Sequence, residues 1–335
     1  MSHSNEKKTG VLLVNLGTPD SPSVKDVRKY LKEFLMDPLV IDLPYWKRYP
    51  IVNWLIIPAR VKNSAFTYQQ VWTKKGSPLL VYSDKMKIKL SASLGNRFVV
   101  ELAMRYQKPS INSAINNLKK SNLKDLIIIP LFPQYAEATT RSVLEYCINS
   151  LKKAGLSIEI NHIPYFHANE DFINSFVNIG KSYTPDQYDH IIFSFHGLPQ
   201  RHIPKAVSQG LPDYQKQCYE TAHLIAKGLA LGKDSYTICF QSRLGKEPWL
   251  EPYTTDVIKN LAADNKKNLL VFSPSFVCDC LETIYEIKIE YAEAFRKLGG
   301  EKLDLVESLN ENDIWIETLK KLICNTNHYK IPIGK

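Results

Sequence analysis

The sequence predicts an α/β protein of two similar domains, each a four-stranded parallel sheet flanked by helices. Three observations predict it. Short β-like runs alternate with helical patterns along all 335 residues, the signature of parallel sheets covered on both faces. The runs divide four and four between the two halves of the chain. The halves also echo each other: "IIIPLFPQYAEATTRSVLEY" and "LVFSPSFVCDCLETIYEI" each read as apolar strand, proline, phenylalanine, polar turn and helix. A chain of this length holds two domains of ordinary size. The junction is predicted near residues 155–165, giving domains over 9–160 and 161–325.

The first four runs begin at Val11 ("VLLVNLG"), Arg97 ("RFVVELAMRY"), Leu126 ("LIIIPLF") and Ile158 ("IEINHIPYF"). The second four begin at His190 ("HIIFSFHG"), Tyr236 ("YTICFQSRL"), Asn268 ("NLLVFSPSF") and Lys302 ("KLDLVESL"). Helices fall between them. After "DSPS", the residues Val24, Val27, Leu31, Phe34 and Leu35 keep a 3.6-residue period until Asp37-Pro38, with Pro22 in the opening turn. Val143, Leu144, Cys147, Ile148 and Leu151 form a second face that stops at Gly155. A third starts near Leu281 and runs through Ile284, Ile287, Tyr291 and Phe295 to Gly299-Gly300.

Composition narrows the function classes. With 44% apolar and 23% charged residues the chain reads as a soluble globular protein. The opening "MSHSNEKKTG" lacks a signal peptide's apolar stretch, and no run approaches the roughly 18 apolar residues of a membrane span, so a cytoplasmic protein is expected. The six cysteines lack paired spacing, which suits a reducing compartment. The formal charge of +9 fits an anionic partner, but the cations are spread without a dense block, which argues against nucleic acid.

Ligands of open parallel sheets sit beyond the carboxyl ends of the strands. That rule selects Leu16 to Asp20, Arg105-Tyr106, Pro133 to Ala136, His196, Gln241 to Arg243 and Ser275 to Glu282. His196 ends an apolar run, where an imidazole can take a proton or bind a metal, or simply fill space. Glu282, Glu286 and Glu290 recur every four residues along one helix side, as a solvated acidic face or as a track for a hydrated divalent cation. The "CDC" at 278–280 lacks the partner pair of a structural zinc site, and neither G-x-G-x-x-G nor a P-loop is present. "NLGTPDS" suits either a tight turn or an anion at a helix start. The segment Leu39 to Lys62, apolar, aromatic and basic, reads as a packed helix pair, or as a lip that walls a large flat ligand and touches a membrane surface.

In order, "VLLVNLGTPDSP", "KKGSPL", "MRYQKPSI", "LFPQYAEATT", "FSFHGLP", "SRLGKEPWLEPYT", "SPSFVCDCLETIYEI" and "EYAEAFRKLGG" resemble the ferrochelatase family, class II chelatases, from about Gly10 to Leu322. The resemblance implies two Rossmann-like domains with a porphyrin cleft between or beside them. It also implies a lyase that inserts Fe2+ into protoporphyrin IX and releases two protons, the terminal step of haem biosynthesis. Carried over by position, His196 and Glu282 become the catalytic pair and the metal ligands. Arg105, Tyr106, Leu16, Ser77, Trp249 and Phe276 become porphyrin contacts. Fe2+ is then a substrate. Protoporphyrin IX and ferrous iron are the expected partners, with peripheral contact at the inner membrane surface and an oligomeric state left open. A coproporphyrin III chelatase and a non-catalytic porphyrin or haem carrier are the alternatives. Many relatives carry "DHxE" where this chain has Cys280 before Glu282, which puts a metal-ligand role for that position in doubt. The tail "CNTNHYKIPIGK" has one cysteine, so the [2Fe-2S] cluster of some members is not expected.

The chemistry explains the residue types. A planar free-base porphyrin keeps its nitrogen lone pairs in the ring plane, and walls that pucker the ring tilt them outward. A base must then accept the pyrrole protons, and a ligand must strip water from the ion. Imidazole suits borderline Fe2+ for either task, and a carboxylate adds charge to hold the cation.

Overall fold

A computed structural model describes residues 7–245, 247–325 and 329–330. Its strands are β1 (Lys8–Gly17), β2 (Phe98–Tyr106), β3 (Leu123–Pro130), β4 (Glu159–His162), β5 (His190–His196), β6 (Tyr236–Gln241), β7 (Asn268–Phe272), β8 (Lys302–Leu305) and β9 (Tyr329–Lys330). Each of the eight predicted runs contains or overlaps a strand. Several strands are shorter than their runs: β4 ends before Pro164 and β7 before Pro274, since proline brings no N–H to a ladder.

The chain forms two compact units. One comprises the chain up to Phe132, Ala136–Tyr165 and the residues from Glu311 onward; the other comprises Pro133–Tyr135 and Phe166–Asn310. Between β4 and the second unit the division falls at Tyr165. The last helix, Asp313–Cys324, which the sequence reading assigns to the second domain, belongs to the first unit. It packs there on the helix Pro78–Leu94, where Lys85 Nζ reaches Glu311 Oε1 at 2.5 Å and Lys89 Nζ reaches Asp313 Oδ1 at 2.7 Å. Trp315 of this helix is fully buried. A local apolar period gives a helix its buried face but not the identity of what covers it.

The first unit's sheet runs β2-β1-β3-β4-β9. Its first four strands are parallel, and β9 adds an antiparallel fifth beyond the four expected, with Tyr329 opposite His162. β1 lies inside this sheet and Val11 to Val14 are fully buried, which is why the run reads as continuously apolar. Leu12, Val14, Ala103, Leu126 and Ile128 pack against the helices Ile111–Leu118 and Ser142–Ala154. The second unit's sheet, β6-β5-β7-β8, is parallel throughout. Ile192, Cys239, Leu269 and Val271 meet Val257, Ile258, Ile287 and Phe295 across one of its faces. Burying each such side chain contributes on the order of 1.5–3 kcal/mol before the entropic cost of folding.

Helix ends follow local chemistry. The helix Val24–Leu35 is capped by Ser23, whose side chain accepts from the Asp26 N–H at 3.2 Å. Pro22 precedes this cap and so lies outside the opening turn where it was expected. Gly155 closes Ser142–Ala154 in the left-handed region at φ 65°. The predicted third helix is wound in two ways, as a π-helix over Glu282–Tyr291 with i→i+5 bonding and then an α-helix over Ala292–Lys297. Residues 45–71 form a helical run of three pieces: Tyr45–Pro50, a π segment Ile51–Ile56, and Ile57–Val71. Pro58 has no N–H to return to Trp54, which favours the wider winding just before it. No helix among the described residues is long and apolar enough to cross a membrane.

Candidate functional site

In the second unit the carboxyl ends of β5, β6 and β7 carry the polar groups. Strand alternation puts Ile192, Ser194 and His196 on one face of β5. Ile192 packs in the cluster that contains Ile287, Tyr291 and Phe295, so this is the face covered by the helix that Glu282 opens. Gln241 stands beside His196 in the β5–β6 register. Its side-chain Oε1 accepts from Ser194 Oγ at 2.8 Å and Ser273 Oγ at 3.3 Å. Its amide donates to the Glu282 carbonyl and to Glu286 Oε2, both at 3.2 Å. One buried glutamine therefore ties the end of the histidine strand to the first turn of the glutamate helix.

His196 is half-buried. Its Nδ1 is buried and without a hydrogen-bond partner. Nε2 also makes no hydrogen bond among the described residues. The Phe276 ring stands edge-on to the imidazole with centroids 6.1 Å apart. The next residue, Gly197, abuts Trp249: a Cβ added there would lie 3.2 Å from indole Cε3 and 2.8 Å from the Gln241 carbonyl oxygen. The Trp249 indole N–H is buried and also unpaired. His196, Phe276 and Trp249 thus gather at one strand end. No hydrogen bond or ion pair joins His196 to Glu282 among the described residues.

The three helix glutamates differ. Glu282 is half-buried, with Cys280 beside it. Burial, and then the Glu282 charge, push the Cys280 thiol well above its usual range, so it stays protonated and is a poor metal ligand. Glu286 is saturated: its carboxylate accepts from Ser242 N at 2.8 Å, Ser242 Oγ at 2.5 Å, Gln241 Nε2 and Tyr291 OH at 2.6 Å. Ser242 has the unusual φ of 65° for a non-glycine residue and aims both of its donors there. Glu290 makes no hydrogen bond or ion pair among the described residues; burial, then Glu286 and Glu293, raise its pKa. A track of three free carboxylates is therefore interrupted at its middle member. Among the described residues no group of three or more His, Cys, Asp or Glu side chains is arranged to hold a metal ion.

In the first unit Arg105 and Tyr106 end β2 and meet Asp37, a residue that sequence reasoning took only as a helix stop. The buried Asp37 carboxylate accepts from Arg105 Nη2 at 2.5 Å, Tyr106 OH at 2.9 Å, Ser142 Oγ at 2.6 Å and Leu39 N at 2.8 Å. The Arg105 guanidinium lies over the rings of Tyr106 and Tyr146, at 4.6 and 4.4 Å. Its Nε donates to Ser142 Oγ at 2.8 Å, and Nη1 makes no hydrogen bond among the described residues. Tyr106 is 0% exposed, and its hydroxyl on Asp37 makes it part of this network. Ser77 is buried as well, accepting from Thr18 Oγ1 at 2.8 Å, whereas Leu16 is half-buried at the end of β1. The lip exposes Tyr45, Trp46, Trp54 and Leu55, with Trp46 and Trp54 each at 70%. From Leu43 to Ser83 the chain has six Lys or Arg and no Asp or Glu.

The solved structures that this chain resembles include SirB from Bacillus subtilis with Fe3+, at a TM-score of 0.58 and 11% identity, covering 95% of this chain and 97% of that one. A sirohydrochlorin chelatase SirB from Bacillus subtilis subspecies spizizenii, in complex with cobalt, aligns at a TM-score of 0.57 and 10% identity over 94% and 93%. At such identities the likeness concerns the fold alone. Sequence relatives are much nearer. A ferrochelatase of Coxiella burnetii is 43% identical over 95% of this chain and 94% of that protein. One of Legionella pneumophila is 43% identical over 94% and 98%. The ferrochelatase family model matches residues 8–327, and with these relatives it shows that the chain belongs to the ferrochelatase family.

Proposed function

We propose that this member of a family of porphyrin metal-insertion enzymes takes protoporphyrin IX and Fe2+ and forms protohaem, with His196 and Glu282 as the working pair. One observation carries the reading: half-buried His196 ends β5 on the face covered by the Glu282 helix, with neither ring nitrogen hydrogen-bonded among the described residues. An imidazole so placed can accept a pyrrole proton or replace a water on the incoming ion. Glu282 supplies the charge that holds the cation before transfer. Two protein donors leave the remaining positions of Fe2+ to water and then to the ring nitrogens, as passage of a substrate ion requires. Phe276 and Trp249 supply apolar surface for the macrocycle. Arg105, with Nη1 unbonded, orients a propionate, and Asp37, Tyr106 and Ser142 hold it in place. No iron–sulfur cluster belongs to this reading.

An anaerobic assay of the purified protein with Fe2+ and either porphyrin tests the proposal. Turnover of protoporphyrin IX is expected to exceed that of coproporphyrin III, because the exposed aromatic lip suits the less carboxylated ring. The opposite ranking would support the coproporphyrin alternative, and tight haem binding without insertion would support the carrier.

The lip also supports peripheral contact at the inner membrane surface from the cytoplasmic side, since aromatic side chains and basic residues together favour an anionic interface. The protein should co-sediment with vesicles containing anionic lipid, and less so as salt is raised. Replacing Trp46, Trp54 and Leu55 by Ser should lower the bound fraction at least about tenfold, since each loses on the order of 1.5–3 kcal/mol of burial in the lipid boundary. Equal sedimentation of the triple variant and the parent would exclude the lip as the contact.

A further inference from the structure

The backbone of His196 is secured in an unusual way. On one side β5 keeps its ladder with β6, and Gly197 N donates to the Gln241 carbonyl at 2.9 Å. On the other side β7 ends at Phe272, opposite Phe193, and its chain turns away through Pro274. The N–H and C=O of His196 therefore have no strand partner on that side. Two hydroxyls replace it. Ser275 Oγ accepts from His196 N at 3.3 Å, and Tyr214 OH donates to the His196 carbonyl at 2.7 Å. The hydroxyls lie 3.5 Å apart. Ser275 belongs to the loop that carries Phe276 and continues to Glu282, whereas Tyr214 opens the separate helix Tyr214–Gly228 and is buried.

We propose that Tyr214 is a positioning residue for the imidazole of His196, its hydroxyl pinning the strand end after β7 has left the sheet. Without it the His196 carbonyl loses its hydroxyl partner, the last residue of β5 can shift, and the ring moves from the place where it meets porphyrin or ion. Tyr214 touches neither of these itself. The inference rests on the role proposed for His196.

The test compares Tyr214→Phe, Ser275→Ala, the double variant and His196→Ala, with Fe2+ and protoporphyrin IX under anaerobic conditions. Tyr214→Phe keeps the ring that fills the site and removes one oxygen. Its kcat should fall roughly 10- to 100-fold, the scale of a small misplacement of a reacting group, with the porphyrin KM within about twofold of wild type. Because both hydroxyls act on one residue, the double variant should lose less than the product of the single losses. A loss of general packing would give neither result. A kcat within about twofold of wild type in Tyr214→Phe, while His196→Ala loses at least about 100-fold, overturns the inference and leaves the function standing. Losses that multiply, or that fall mainly on KM, also overturn it. Near-normal turnover by His196→Ala overturns both. Should Tyr214→Phe fail to fold, Ser275→Ala carries the same kcat-against-KM criterion from the other side of the pin.

Discussion

Replacing His196 by Ala is expected to lower iron insertion by about 10²- to 10⁴-fold, the usual range for loss of a positioned proton acceptor, and to leave porphyrin binding within a few-fold of wild type. The fold should survive because the residue is held through its backbone. Ser275 and Tyr214 bond its N–H and C=O, and the β6 ladder continues through Gly197. The side chain contributes little in return: Nδ1 is buried and unpaired, so removing it relieves a desolvation cost while losing the edge contact with Phe276. These effects oppose each other, and the thermal midpoint should move by only a few degrees. Porphyrin affinity can be read by fluorescence titration without metal and turnover by loss of porphyrin fluorescence under anaerobic conditions. Turnover within tenfold of wild type would remove His196 from the chemistry. Loss of porphyrin affinity instead would reassign it to the wall beside Phe276 and Trp249.

Where the sequence was legible, burial had written a period into it. β1 and β5 lie inside their sheets and read as unbroken apolar runs, and the helix faces from Val27 to Leu35 and Val143 to Leu151 kept their spacing because each covers a sheet or a neighbouring helix, whereas Val24 at the start of the first helix is exposed. What sequence reasoning missed depends on partners far along the chain. The winding of Glu282–Tyr291 leaves no mark in its apolar spacing, and the Tyr291 hydroxyl and the Ser242 donors that occupy Glu286 lie outside any local pattern. Glu286 therefore looked like a free member of an acidic track. Asp37 looked like helix punctuation, although its buried carboxylate gathers Arg105, Tyr106 and Ser142. The one available signal was an acidic residue at a chain turn between an amphipathic helix and an apolar segment. Tyr214 carried even less, as a tyrosine opening an ordinary amphipathic helix.

The largest loss of stability is expected from Gly17→Ala. Gly17 ends β1 opposite Tyr106 of β2, with φ at 123°. A Cβ placed there would lie 2.1 Å from the Tyr106 carbonyl oxygen, 3.0 Å from its carbon and 3.2 Å from its nitrogen. These are backbone atoms, which cannot rotate aside as a side chain would, so one of two paired strands must move. The cost combines an unfavourable backbone conformation with overpacking, together at least about 3 kcal/mol, and the thermal midpoint should fall by on the order of 10 °C. Gly155→Ala is the matched control: φ is 65°, but nothing lies within 4 Å of the added carbon, so only the left-handed conformation is penalised, by about 1–2 kcal/mol. The excess of the first loss over the second measures the close approach of the strands. The same displacement should reach the proposed porphyrin wall, because moving the Tyr106 backbone shifts both Arg105 and the hydroxyl that bonds Asp37, while Leu16 adjoins the glycine itself. Any folded Gly17→Ala protein should therefore show a raised porphyrin KM before a lowered kcat, since His196 and Glu282 lie in the other unit. Equal midpoint losses for the two variants would mean that β1 and β2 part without strain, and the glycine would then be required only for its backbone conformation.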